Sequence, residues 1–300
     1  MSELLAALSE ARQRFMDLVA ELRPELHRYC ARMTGSVFDG EDVVQETLAK
    51  AYYALAELET PPPLRPWLFR IAHNTAVDFV RRYEHRHVDV VADLEEVAHM
   101  SGAASEAGPD DELVEAALQI FVSLPPLQRS ALALKDVLGL SLEETASTLE
   151  LSVAAVKGAL VRARANVATA NAAKQRGSGV DLERLRLYAD LFNARDWAAL
   201  RAFFGEETQL ELVSRSRQQG ASAAQYFTHY AKSAEREDMR LQPGWVDGVL
   251  VLAAFRPAAS ATPAYFIQLD WRGGRIARVR DFRYVPYIAR DAVFTLPAAQ

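Results

Sequence analysis

The chain has 300 residues, half of them hydrophobic, with a single cysteine and a formal net charge of −6. That length allows two or three domains with ordinary cores, and the lone Cys30 excludes an intrachain disulfide framework, which suits a reducing, cytoplasmic setting. No apolar run reaches the ~20 residues of a membrane helix, and the acidic start MSELLAALSEARQRF lacks a basic segment and a cleavage site, so neither an anchor nor a signal peptide is expected.

From the N-terminus, residues 3–34 read as a helix, with Phe15, Leu18, Val19, Leu22, Leu26 and Tyr29 at helical spacing. Cys30 falls within this apolar pattern and is expected in the core. Thr34, Gly35 and Ser36 break the helix. A second helix, EDVVQETLAKAYYALAEL, can open at Asp39 or Asp42 and buries Val43, Val44, Leu48, Ala51, Tyr52 and Leu55. Its outward face carries Glu41, Asp42, Gln45 and Glu46, an acidic first turn that the helix dipole favours. Pro61 to Pro63 form a stiff break. A third helix runs from Pro66 to Arg82, with Trp67, Leu68, Ile71, Ala72, Thr75 and Phe79 on one face and Arg70, Asn74, Asp78, Arg81 and Arg82 on another. His73, His85 and His87 have no partners at ligand spacing, so no metal site is expected.

Residues 87–112 are acidic, rich in small residues and without sustained periodicity, the composition of a flexible linker. Another helix, Leu113 to Ser123, leads into the stretch LPPLQRSALALKDVLGLSLEETASTLELSVAAVKGALVRARANV. Ser141 with Glu144 three residues later is a capping box, and Leu142, Ala146 and Leu149 share a face. Glu150 and Leu151 make a turn. Ser152 caps the next helix, in which Val153, Val156, Ala159 and Leu160 point inward while Lys157, Arg162 and Arg164 are left outside. That is the pattern of a helix-turn-helix, whose second helix enters the DNA major groove. Five basic residues and no acid lie between Lys157 and Arg176, a local excess that a phosphate backbone rewards through counterion release. A plain helical hairpin with a solvated basic end is the bland alternative.

Lys174 to Val180 form a second, Gly/Ser-centred linker. Beyond it, Asp181 to Phe204 read as one or two helices. The runs Thr208–Ser214, Trp245–Phe255 and Tyr265–Trp271 then read as strands, and Arg275–Tyr284 returns from a hairpin turn at Arg272, Gly273 and Gly274. Helices followed by a curved antiparallel sheet give an α+β class.

The stretch from Leu124 to Val167 resembles region 4 of extracytoplasmic-function (ECF) sigma factors, relatives of sigma-70. ARMTGSVFDGEDVVQETLAKAYY and LRPWLFRIAHNTAVDFVRR are similar to sigma region 2. YADLFNARDWAALRAFF with the closing pair YFIQLDWRGGRIARVRDFRY looks like the SnoaL-like α+β cone. The fold implied is multidomain: all-α sigma regions 2 (residues 1–86) and 4 (113–173), then a SnoaL-like cone (181–290) and a short tail (291–300). The resemblance implies core RNA polymerase as partner, through the β′ clamp and the β flap, with Asp42, Gln45 and Glu46 docking on the clamp. It implies promoter DNA as the second partner: Asn74, Asp78, Arg81 and Arg82 hold the −10 non-template strand, and Ser152, Lys157, Arg162 and Arg164 meet the −35 duplex. No catalytic residue, cofactor or metal is implied. Polymerase also resolves an electrostatic puzzle, since residues 1–176 hold 18 basic and 26 acidic residues, a balance of −8, against +2 for the rest; such a chain binds DNA poorly alone.

In the cone, Tyr188, Trp197, Trp245, Asp247, Tyr265, Trp271 and Asp281 are core or pocket candidates for a small ligand. Asp247, Asp270, Asp281 and His229 are its titratable candidates, and none has a spacing that demands catalysis. The basic series Arg272, Arg275, Arg278, Arg280 and Arg283 is a candidate contact for the acidic helix at Glu41–Glu46 or the acidic linker at Asp93–Glu96, through which the cone would act in cis. Two other functions remain open at this point: a sigma mimic that titrates an anti-sigma factor, and a cyclase-like enzyme tethered to a DNA-binding module.

Overall fold

A computed structural model describes residues 2–55, 62–91, 123–169, 179–219 and 238–297. They form two compact units, the helices up to Thr169 and everything from Gly179 onward. The expected helix Leu113–Ser123 up to its last residue, most of both linkers and His229 lie outside the described residues.

The helical unit contains α1 (Ser2–Thr34), α2 (Val37–Leu55), α3 (Leu64–Val91), α4 (Pro126–Leu132), a π-helical turn (Ala133–Val137), α5 (Leu142–Leu149) and α6 (Val153–Thr169). Gly35 leaves α1 at φ +80°. The cap of α2 is Ser36, earlier than either aspartate expected: its Oγ accepts from the backbone N–H of Phe38 and of Asp39, both at 3.2 Å. Inside α2, Gly40 is required by close approach, because a Cβ there would sit 2.6 Å from the Ala31 backbone nitrogen of α1. α3 runs nine residues beyond its expected end at Arg82 and takes up the first part of the expected linker.

One hydrophobic core serves all these helices. Leu26, Tyr29, Cys30 and Met33 of α1, Val43 and Val44 of α2, and Leu68, Phe69 and Ala72 of α3 are continuous with Leu134, Leu140, Ala146, Val156 and Leu160. Two separate helical domains joined by a flexible linker were expected; they pack as one body.

The second unit opens with α7 (Gly179–Asn193) and α8 (Trp197–Arg201). The strands β1 (Gln209–Leu212), β2 (Ser216–Gln219), β3 (Arg240–Val246), β4 (Val249–Phe255), β5 (Tyr265–Arg272) and β6 (Arg275–Asp281) follow, then α9 (Tyr287–Asp291) and β7 (Phe294–Thr295). The α+β class holds, with corrections. The sheet is mixed, in the order β2-β1-β6-β5-β4-β3-β7, because β1 pairs with β6 in parallel. The run Trp245–Phe255 is not one strand: Asp247 (φ +50°) and Gly248 (φ +74°) form a two-residue hairpin turn between β3 and β4, the Asp-Gly signature of such turns. The tail beyond residue 290 belongs to the fold, since β7 pairs with β3 and Phe294 packs edge-on to Phe255 at 6.0 Å. Gly244 makes room for it; a Cβ there would lie 2.3 Å from the Phe294 ring. On the opposite face of the sheet, α7 and α8 cover Leu210, Leu252, Ile267, Leu269 and Val279.

Candidate nucleic-acid interface

The helix-turn-helix is built as its sequence specifies. Ser141 Oγ accepts from the Glu144 N–H at 3.0 Å, and Glu144 Oε2 accepts from the Ser141 N–H at 2.7 Å. The Ser141 bonds hold the Glu144 carboxyl below the usual carboxylate range. Glu150 ends α5 in the left-handed conformation (φ 55°), and Ser152 Oγ caps α6 by accepting from Ala155 at 3.2 Å. Val156, Ala159, Leu160 and Ala163 are buried, and Ser152, Lys157 and Arg162 are each exposed to solvent. Arg164 is the third basic group expected on the outside. It is exposed but forked onto Asp136, with Nη2 at 2.8 Å and Nε at 3.1 Å, so its charge is committed within the unit.

On α3, Asn74, Asp78, Arg81 and Arg82 are exposed along one strip. Arg82 reaches across to Glu46 on α2 at 3.2 Å, and Lys50 reaches the same carboxylate at 2.9 Å. Burial pushes the Glu46 carboxyl up, but the bonds and charges of Lys50 and Arg82 outweigh it and leave it low. A residue expected to dock protein and one expected to hold DNA therefore hold each other. Asp42 and Gln45 are half-buried beside them. Glu41 does not belong to that face: it is fully buried and paired with Arg23 of α1. Tyr52, expected inward, is 44% exposed next to Tyr53 at 75%, because the helix turns that position past the edge of the core.

Between these two surfaces lies a set of polar residues that sequence patterns did not single out. The fully buried Tyr29 of α1 and Ser130 of α4 meet the half-buried His73 of α3 at the edge of the core. The Tyr29 hydroxyl is 2.6 Å from Ser130 Oγ and 3.0 Å from His73 Nδ1, and His73 Nδ1 is 2.7 Å from Ser130 Oγ. Burial pushes the Tyr29 phenol up and the His73 imidazole down from its ordinary 6.5. Beside them Arg129, 3% exposed, donates to the Met33 carbonyl near the end of α1 and to the Leu124 carbonyl at 3.0 Å; a cation at a helix C-terminus is well placed. Tyr29 and His73 had read only as an apolar-periodic residue and a scattered histidine. A buried polar cluster spread over three helices leaves no local signal.

In the second unit, Asp281 is 1% exposed on the face covered by α7. Arg283 donates to it from Nε at 2.8 Å and from its backbone N–H at 2.9 Å. Tyr188 and Tyr265 close the group; burial, then the Asp281 and Tyr265 charges, push the Tyr188 phenol up. Trp197 and Trp271 pack edge-on against Phe192 and Phe203, both at 5.3 Å, and Trp245 lies half-buried on β3. Asp247 is a turn residue and Asp270 is exposed on β5, so neither joins Asp281. Three of the five arginines in the late strands are committed inside the unit. Arg278 and Arg280 pair with Glu211, which is 4% exposed, and Arg283 with Asp281. Among the described residues no His/Cys/Asp/Glu cluster could hold a metal ion, and no helix is long and apolar enough to cross a membrane.

Residues 18–86 match the Sigma-70 region 2 family and residues 115–167 the Sigma-70, region 4 family. The ECF RNA polymerase sigma factor SigG of Mycobacterium tuberculosis is 31% identical over 290 residues, an alignment covering 87% of this chain and 78% of SigG. The chain belongs to the ECF RNA polymerase sigma factors. The ECF factor SigW of Bacillus subtilis is 30% identical over half of this chain and 84% of its own length. The structure of the Mycobacterium tuberculosis ECF sigma factor SigJ is similar over 89% of this chain and 95% of SigJ, at 19% identity and a TM-score of 0.35. In this sigma factor, region 2 thus comprises α1 to α3 and region 4 comprises α4 to α6.

Proposed function

We infer that this sigma factor directs core RNA polymerase to promoters by reading DNA with two separate surfaces: Ser152, Lys157 and Arg162 on α6 for the −35 duplex, and Asn74, Asp78, Arg81 and Arg82 on α3 for the unstacked −10 strand. The observation that supports it most is the exposure of Lys157 and Arg162 on a helix that follows a fully capped turn. A helix presented this way has its N-terminal half free for the major groove and cations placed for phosphates. On α3, polar groups lie beside two arginines, the combination that holds splayed bases. Asp42 and Gln45 are the docking residues for the polymerase clamp, and Glu46 contributes after releasing Arg82.

The chain carries no catalysis of its own in this reading. The cone unit acts in cis, tethered so that its effective concentration at regions 2 and 4 is high. The inner cluster of Tyr188, Tyr265, Asp281 and Arg283 is where a small ligand would be felt. Run-off transcription with purified core polymerase, on DNA from upstream of the protein's own operon, tests the reading. Full-length protein gives a discrete transcript, and Lys157→Ala with Arg162→Ala removes it. Truncation after Lys174 changes the yield if the cone regulates in cis; equal yields reject that part alone.

A further inference from the structure

The third cation of α6 already holds an anion. Arg164 donates from Nη2 to both carboxylate oxygens of Asp136, at 2.8 and 3.0 Å, and from Nε to Oδ2 at 3.1 Å. Such a fork is the geometry an arginine offers a phosphate. Lys157, Val161 and Arg164 stand at i, i+4 and i+7, so they share one strip of the helix, and all three are exposed. Arg164 lies about 10 Å further along the axis than Lys157. On a helix whose N-terminal half enters the groove, that is where the C-terminal end passes the sugar-phosphate backbone. Resting on the sigma reading above, we propose that Asp136 is an intramolecular phosphate mimic. It occupies Arg164 and so holds down the affinity of region 4 for DNA.

A plain strut between α6 and the segment before it is the competing account. One strut exists on the other flank. Asn166, two positions and about 200° round the helix from Arg164, donates to Gln128 Oε1 of α4 at 2.9 Å. That clasp is neutral, and a neutral pair would brace the Arg164 flank as well. The ion pair adds little stability, because its side chains are 57% and 36% exposed. What it does change is charge: it neutralises one of the three basic residues α6 carries, and each cation that reaches a phosphate strengthens binding through counterion release. Asp136 is delivered by the π-helical turn Ala133–Val137, which closes with the Leu138 N–H on the Ala133 carbonyl at 3.0 Å; such wide turns are rare and concentrate at functional sites. A phosphate contact carries no sequence information, so the pair tunes affinity and not preference.

Salt titrations of promoter binding by the reconstituted holoenzyme test this. Asp136→Asn keeps an oxygen that can accept from Arg164 and removes only the charge. It should raise affinity about three- to tenfold at low salt and steepen the salt slope by about one. The gain should shrink about threefold between roughly 50 and 200 mM salt, and a duplex of unrelated sequence should show the same gain. Asp136→Glu, which keeps the carboxylate, should behave as the wild type. Asp136→Asn combined with Arg164→Ala should lose the whole gain, because the released arginine is what makes the new contact. A gain that survives in the double variant would mean that Asp136 merely repels the backbone, and would overturn the mimic. An unchanged slope in Asp136→Asn with a lowered unfolding midpoint would establish the strut in its place. Failure of the unmodified holoenzyme to bind the promoter would overturn the sigma reading itself.

Discussion

In the helical unit, buried polar side chains join segments far apart in the chain: Tyr29 meets Ser130 across 101 positions, and Arg129 meets the Met33 carbonyl across 96. In the sheet unit they join strands that the backbone already pairs. Gln268, Arg280 and Glu211 stand directly opposite one another on β5, β6 and β1, and Asp281 holds Arg283 two residues on. The first arrangement can separate without breaking a single helix; the second cannot separate without tearing the sheet. Polar groups at a seam tie together segments that no local pattern joins; polar groups along a ladder reinforce a pairing the backbone already makes.

The largest expected effect breaks the ladder. Glu211→Ala would leave the 9%-exposed Arg280 side chain without its carboxylate and should cost the sheet unit about 3–5 kcal/mol. Denaturant unfolding should then show one transition move while the helical transition stays in place. Next, Gly40→Ala forces a methyl onto the Ala31 backbone, an overpacking that should cost the helical unit about 1–3 kcal/mol. It acts at the α1–α2 contact inside region 2, so it should lower the unfolding midpoint.

A third test sharpens the seam. Burial pushes His73 below its ordinary 6.5, so the folded helical unit binds fewer protons than its unfolded chain. Its contribution is complete above pH 6.5 and drains as pH falls below that value through the depressed one. The facing groups are the Tyr29 and Ser130 hydroxyls, which lie on α1 and α4. The denaturant midpoint of the helical unit should fall between pH 7 and 5 in the wild type and fall less in His73→Gln.

Smaller effects belong to the surfaces. Lys157→Ala and Arg162→Ala should leave stability within about 0.5 kcal/mol, and each should reduce the salt slope of promoter binding by the holoenzyme by about one. Asp42→Lys should change stability as little and still weaken binding to core polymerase, measured by fluorescence anisotropy. Unchanged affinity would move the docking surface elsewhere.

Features that neighbouring residues decide were legible without any structure. The Ser141–Glu144 capping box, the Glu150 turn, the Ser152 cap and the buried face of α6 all follow from contacts within four or five positions. The same holds for Cys30 in the core and for the hairpin at Gly273. The Asp247–Gly248 turn was equally local, yet the apolar residues on either side of it merged into one apparent strand. What lay beyond reach involved residues far apart in sequence. Helical spacing placed Glu41 with Asp42 and Glu46 on one acidic face, but Arg23 from α1 draws it into the core. The basic series of the late strands read as a free surface, but Glu211 from β1, brought alongside β6 by a parallel pairing, neutralises part of it. Composition separated regions 2 and 4 with a linker, while a continuous apolar core and the Tyr29–His73–Ser130 hub hold them together. Periodicity reports which face of an element is turned inward; only tertiary structure decides what meets it there, because partners a hundred residues apart leave no mark on the sequence around either one.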